Sequence, residues 1–389
     1  MKSINSNKKK FKIVIDASRN KSGGAIVYLK NFLKYLNLTN TKIDKIIIFS
    51  HKSVLNQIPK RFFLDKCSHP FLEKNIIFQI IWQFVFLPIY LKKNKIDILY
   101  STDTSTICKF SPSIVLNQDI LGFDKDTLSK IPLNLEKIRL YIIRFLQIRT
   151  MNSANEIIFL SKYTKKIISK FLKKNINYSI IPHGIENISS KLGKTKSYDC
   201  LWNFKLKKKI KIVYVSPLFL YKNHYTVAKA YSNLKKKYPN LDIKFIGNYK
   251  QNLKLLNKIL YDVPEINKKN FIGEINQINV LKNLIKSDIF VFASSSETFG
   301  ISLLEAMNIG MPIVCSNKSS LPEILQNGGI YFDPNNYLQL SDQIESLIKN
   351  KSLRKKKSKE AKRISLRYSW TNNTREFCKI VNKLSKSFS

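Results

Sequence analysis

The sequence predicts an α/β protein made of two doubly wound domains in tandem. Three observations carry that expectation. The chain has 389 residues, more than a single hydrophobic core usually organises. Short β-branched runs alternate with longer segments of helical period, and that alternation starts afresh near Lys208.

In the first half FKIVIDAS, KIIIFS, IDILYST, SIVLNQDI, EIIFLS and YSIIPHGI read as strands, and GGAIVYLKNFLKYLN is among the helical segments between them. In the second half KKIKIVYVS, LDIKFIGN, KNFIGEI, DIFVFASS, MPIVCSN and GGIYFDP repeat the pattern. Apolar runs separated by helices point to parallel sheets with crossover connections. The break falls in the polar, strandless ISSKLGKTKSYDCLWNFKLKK, residues 188–208, with Trp202 and Phe204 expected to pack down. The domains are set at residues 1–195 and 207–367, followed by a carboxyl-terminal helix at 368–389.

Composition narrows the function. Lys and Arg number 68 against 26 acidic residues, a formal charge of +42, which raises nucleic acid or an anionic membrane as partners. The excess is almost all Lys and runs through nearly every segment, so a solvated surface explains most of it, with membrane attraction next and no nucleic acid expected. The five cysteines are scattered without a CxxC spacing, which argues against a disulfide framework or zinc site and fits a reducing cytoplasm. The start, MKSINSNKKKFKIVIDAS, reads as a first strand, not a signal peptide. Residues 75–91, NIIFQIIWQFVFLPIYL, are uncharged but interrupted by Gln79, Gln83 and Pro88. That is short of the ~20 apolar residues a span needs, so a buried core helix or an interfacial helix is expected.

In open parallel sheets a ligand sits outside the carboxyl ends of the strands. The loops at 17–24, 216–223, 247–248, 295–299 and 317–322 are therefore the places to look. SSSETFGISLLEAMNIG, from residue 294, puts Glu297 in such a loop, a helix start at Gly300 or Ile301, and Glu305 eight positions after the first acid. The leading amides of a helix suit a phosphate, and Gly300 permits close approach. Eight helical residues rise about 12 Å, too far for two carboxylates to flank one glycosidic bond. Two separate contacts along one extended ligand fit better, each carboxylate accepting from the hydroxyls of a sugar or ribose.

These motifs resemble those of family 4 retaining glycosyltransferases. ETFGISLLE matches the Glu-x7-Glu signature, and the likeness extends through VSPLFLYKNH, IIPHGIE, FLSKYTKK and SGGAIVYLKNFL. The resemblance implies a GT-B fold, two Rossmann-like domains facing a cleft, with acceptor bound in the first and nucleotide sugar in the second. It implies that Glu297 contacts the donor sugar, Glu305 the ribose, and Lys222 of the Lys222-Asn223-His224 element the diphosphate. Backbone groups of Phe299, Gly300 and Ile301 would add to the phosphate site, and Gly23 and Gly24 match the family's glycine loop. The helix from Trp370 would cross back to the first domain.

Two departures stand out. Pro217 occupies the place of a common arginine, for which Arg19 would substitute, and Gln118 precedes Asp119 where a His-Asp step is frequent. Asp119 joins Glu297 and Lys222 as a candidate catalytic group. Glu323 in LPEI matches a frequent family glutamate, while His183 and His224 read as packing residues. The Asp124-Lys125-Asp126 tripeptide is discounted as a metal motif. The expectation is a metal-independent, retaining hexosyltransferase without a cofactor, using GDP-mannose or a UDP-sugar and a saccharide or lipid-linked acceptor. It would act in the cytoplasm and at the inner membrane face. The competing reading is a catalytically degenerate membrane-surface protein on the same fold.

Overall fold

The computed structural model describes residues 10–21, 23–39, 41–186, 188, 192 and 209–387. The chain forms two compact units. One takes residues up to Leu128, Pro132–Gly184 and those from Ser369 onward; the other takes Ser129–Ile131 and Ile185–Tyr368. The chain thus passes to the second unit at Gly184–Ile185, ahead of the expected 188–208 break. Trp202 and Phe204, like Cys200, lie outside the described residues.

The first unit holds a seven-stranded parallel sheet. Its strands are β1 (Phe11–Asp16), β2 (Ile43–Phe49), β3 (Leu64–Cys67), β4 (Ile98–Ser101), β5 (Ser113–Asn117), β6 (Glu156–Phe159) and β7 (Tyr178–Ile180), in the order β3-β2-β1-β4-β5-β6-β7. Strand β3 escaped the sequence reading because LDKC carries two charges in four residues. It is an edge strand, where such charges are tolerated.

Helix α1 (Gly23–Tyr35) packs against the carboxyl-terminal helix Trp370–Ser387, both within this unit. Phe32 meets Phe377 edge-on at 4.9 Å between ring centroids, and Tyr100 of β4 lies 4.7 Å from the same ring. Trp370 is buried 5.9 Å from Tyr28, so a segment remote in sequence closes this side of the core.

The opposite side carries α2, the helical segment Ile76–Lys93, and α3 (Leu135–Ser153). Asn75 caps α2 by accepting from the amides of Ile77 and Phe78. Its middle, Trp82–Phe86, widens into a π-turn that puts Trp82 and Gln83 side by side on the inner face. Trp82, Leu87 and Leu91 pack with Val14, Ile47 and Leu99.

The second unit holds a six-stranded parallel sheet of β8 (Ile210–Val215), β9 (Leu241–Ile246), β10 (Phe271–Gly273), β11 (Ile289–Phe292), β12 (Ile313–Ser316) and β13 (Ile330–Phe332). Their order is β10-β9-β8-β11-β12-β13. It reverses between β8 and β11, and such a switch point opens a crevice at the strands' carboxyl ends. The helices nearest it are α4 (His224–Lys237), α5 (Gln277–Ile285), α6 (Ile301–Ile309) and α7 (Leu321–Leu325). Gly310, at φ +84°, ends α6 in the left-handed conformation that glycine adopts without strain.

Gly184 is required by close backbone approach: a Cβ there would sit 2.1 Å from the Trp370 nitrogen and 2.5 Å from the Ser369 carbonyl carbon. Neither atom can rotate aside. Gly184→Ala should therefore cost ~2–3 kcal/mol, read as a lower urea midpoint for unfolding of the full chain.

Candidate functional site

The loops following β8 and β11 are laced together at the switch point. Asn223 sits in the left-handed region, at φ +54° and ψ +36°, which asparagine tolerates better than most residues. From there its side-chain amide donates to the Ala293 carbonyl at 2.8 Å and the Ser295 hydroxyl at 2.7 Å. The Ser295 amide returns a bond to the Tyr221 carbonyl at 2.8 Å. This lacing brings Lys222 and Glu297, 75 positions apart, into a direct ion pair between Nζ and Oε1. Both side chains are largely withdrawn from water, and the lysine also lies 4.9 Å from the centroid of the Tyr221 ring.

Glu297 is fixed through its backbone. Its amide donates to the Ser319 hydroxyl at 2.8 Å, and its carbonyl accepts from the hydroxyls of Ser319 at 2.6 Å and Ser320 at 3.0 Å. Ser319 itself has φ +63°. The sequence reading missed Ser319, Ser320 and Ser295 as supports, because only the tertiary fold brings the β12 loop under the β11 loop.

Gly300 caps α6 at φ +90°, and a Cβ there would press against Phe292 and Leu321 at 3.2 Å. The amides opening α6, Ile301 first, have no partner within the helix and carry its positive end. Phe299 serves packing with its ring, buried edge-on to Tyr368 at 5.4 Å. Only from Ile301 onward is the chain helical, so a loop and about one turn separate the two glutamates, less than the two helical turns expected. Glu305 is buried in α6, where its Oε1 accepts from Gln277 Nε2 at 2.8 Å. No sequence signal marked Gln277, which opens α5 beside its cap Asn276. Glu323 lies in the short α7, and its charge, after burial, helps push the Tyr368 phenol up to about 12.

In the first unit Arg19 Nη1 donates to the Ser105 hydroxyl at 2.6 Å and the Ser105 carbonyl at 3.1 Å, with Asp103 at 3.7 Å. Its charge is matched locally. Gly23 and Gly24 open α1 on the surface, Gly23 at φ +62°. Asp119 is exposed after β5; its Oδ1 accepts from the Leu121 amide at 2.9 Å. Gln118 donates to the Thr102 carbonyl at 2.9 Å, a positioning contact. Asp124 of the discounted tripeptide accepts from the Thr127 amide and hydroxyl. Among the described residues no group of three or more His, Cys, Asp or Glu side chains is placed to hold a metal.

Residues 202–364 match the family model of glycosyl transferases group 1. The matched stretch is similar to group 1 glycosyltransferases. It contains Lys222, Glu297, Gly300 and Glu305, the residues that the second unit gathers at its switch point. Two curated relatives extend the comparison. The chain is 38% identical to the O-antigen chain mannosyltransferase B of Escherichia coli over 22% of each protein. It is 29% identical to an uncharacterized glycosyltransferase of Methanocaldococcus jannaschii over 59% of each. These alignments span less than two thirds of either relative. Solved structures match over nearly the whole chain. The sucrose-phosphate synthase of Thermosynechococcus elongatus gives a TM-score of 0.76 at 14% identity, covering 97% of this chain and 100% of the other. HepE of Anabaena in complex with UDP and glucose gives 0.71 at 16% identity, covering 95% and 99%. The fold is GT-B.

His183 of the first unit and His224 of the second are buried and neutral. His224 packs 4.6 Å from the Tyr214 ring, close to the Ser216 carbonyl at 3.3 Å, and His183 packs against Tyr28 and Trp370. Burial lowers both to about 3. The unfolded chain then binds protons that the folded chain refuses, so stability is complete above the ordinary value near 6.5 and is lost as pH falls toward 3. The expected loss is at most about 1.4 kcal/mol per pH unit for each histidine. Asp16, whose carboxyl burial holds above its usual range, works in the opposite sense over the carboxylate range. Melting temperature followed from pH 7 downward should fall, and fall less steeply in His224→Gln.

Proposed function

We propose that the protein is a glycosyltransferase of polysaccharide biosynthesis, moving a hexose from a nucleoside diphosphate sugar to a saccharide or lipid-linked saccharide hydroxyl. The observation that carries this reading is Lys222, buried and paired with Glu297 beside the amino end of α6. An ammonium has three donors, so pairing with one carboxylate leaves it able to meet a phosphate. Together with the leading amides of α6 it would neutralise the negative charge that builds on a departing nucleotide, with no metal required.

Glu297 would hold the sugar and Glu305 the ribose, the second steadied by Gln277. Retention of configuration follows if the acceptor attacks from the side the nucleotide leaves, its proton passing to a phosphate oxygen. Arg19, Gly23, Gly24 and Asp119 are proposed as first-unit contributions to phosphate and acceptor. Under this proposal the protein would act in the cytoplasm and at the inner face of the membrane. For the donor, the E. coli relative's name favours mannose, for which GDP-mannose is the proposed form, while the Anabaena complex was formed with UDP and glucose.

Thermal-shift and hydrolysis assays across GDP-, UDP- and ADP-sugars test the reading. One nucleotide class should raise the melting temperature and be hydrolysed slowly, and a flat response to all of them overturns it. With that donor, Lys222→Ala should lower kcat/KM by ~10²–10³. Glu297→Gln should lower kcat more than nucleotide affinity. Glu305→Gln should chiefly raise the donor KM, with unaltered melting temperature as the control for folding.

A further inference from the structure

We propose that the first unit docks onto an anionic lipid bilayer through the outward faces of α2 and α3, lying in the interface without crossing it.

Helix α2 turns two glutamines together with Trp82, Leu87 and Leu91 inward and still leaves a second apolar face outward, where a helix on a water-soluble surface is polar. Its inner face carries Gln79, which donates to the carbonyls of Leu72 and Lys74, and Gln83, which donates to Asp16 Oδ2 and the Ser18 hydroxyl, both at 2.9 Å. The glutamines that shorten the apolar run in sequence are therefore anchors to the core. Its outer face exposes Ile77 by 61%, Phe84 by 61% and Ile89 by 59%. Helix α3 does the same with Ile138, Ile142 and Phe145, spaced four and three apart, the last 66% exposed.

The two stripes look the same way. Val14 pairs with Leu99, and Leu99 with Ser113, so Val115, two positions on, lies on that same side of the sheet; Val115 in turn pairs with Ile157. Trp82 and Leu91 of α2 cluster with Val14 and Leu99, and Met151 of α3 with Val115 and Ile157. Both helices thus cover one side of the seven-stranded sheet, and both turn apolar side chains away from it. A surface of this kind marks an interaction site.

Charge decides the occupant. No charged residue lies between Asn75 and Leu91, while exposed Lys74 precedes the run and exposed Lys92, Lys93 and Lys95 follow it. Exposed Arg139 and Arg149 flank the stripe on α3; the nearby acids are Glu73, which accepts from the Lys52 amide, and Glu136. A second copy of a chain with a net charge of +42 would be repelled at such a rim, whereas anionic headgroups are attracted. Phe84, Phe86, Tyr141 and Phe145 supply the aromatic groups that favour the interface. Spanning is excluded because Trp82, Leu87 and Leu91 belong to the core of the unit.

The test is flotation of the full chain with vesicles of phosphatidylcholine alone and of phosphatidylcholine with one third phosphatidylglycerol, without any sugar donor. The protein should float with the anionic vesicles, less with the neutral ones, and less at high salt. The triple variant Ile77→Ser, Phe84→Ser, Ile89→Ser and the double variant Ile142→Ser, Phe145→Ser should each bind ~10-fold more weakly, with circular dichroism and melting temperature unchanged. Three results would overturn the proposal: no flotation of the unaltered chain, variants that bind like it, or light scattering that shows a dimer which the variants dissociate. Failure here leaves the donor reading standing, since nucleotide binding is measured separately.

Discussion

The second unit depends on keeping one lysine and one glutamate together out of water. Removing either charge from solvent is costly, and the pair repays it only when its geometry is held and the surrounding polar groups are satisfied. Much of what is unusual nearby follows from that demand. Asn223 takes a left-handed backbone to lace the β8 and β11 loops, Ser319 takes another to grip Glu297 from below, and Gly300 takes a third to start α6. Two of the five non-glycine residues with positive φ among the described residues, Asn223 and Ser319, stand at this spot, where the scaffold is bent to place particular groups.

The sheet topology sets the stage for this arrangement. Adjacent strands β8 and β11 send their chains to opposite sides, leaving their following loops with no intervening helix. Close packing of the chain after β9 against the chain after β8 explains Gly247, where a Cβ would stand 2.2 Å from the Ser216 carbonyl oxygen. In the first unit the equivalent position is held by neutral groups around one buried carboxyl: Asp16 receives bonds from the Ser18 amide, Gln83 and Thr106. Through Gln83 that network ties the loop after β1 to α2, so the helix with the apolar exterior is fixed to the carboxyl edge of its sheet.

The two units also differ in how their chains close. The second is continuous apart from a short excursion at Ser129–Ile131, whereas the first is finished by a helix that arrives only after the second is complete. Tyr28, Phe32, Tyr100 and Phe377 form the aromatic seam that receives it. Such contacts, Phe32 with Phe377 among them, make the first core dependent on the far end of the chain.

Period and composition determined the α/β class, the twelve strands read in advance and the helix start at Gly300–Ile301, because those features are written in local spacing; Lys222 was singled out by the resemblance alone. The edge strand β3 was illegible, since its apolar signal is diluted by Asp65 and Lys66. Ser295, Ser319 and Gln277 were illegible for a different reason: a hydrogen bond between distant loops leaves no local pattern. The run at 75–91 left a core helix and an interfacial helix equally open. Only the tertiary structure decided that its glutamines point inward and its isoleucines outward, because facing is set by what the sheet needs covered and not by the hydropathy of the run itself.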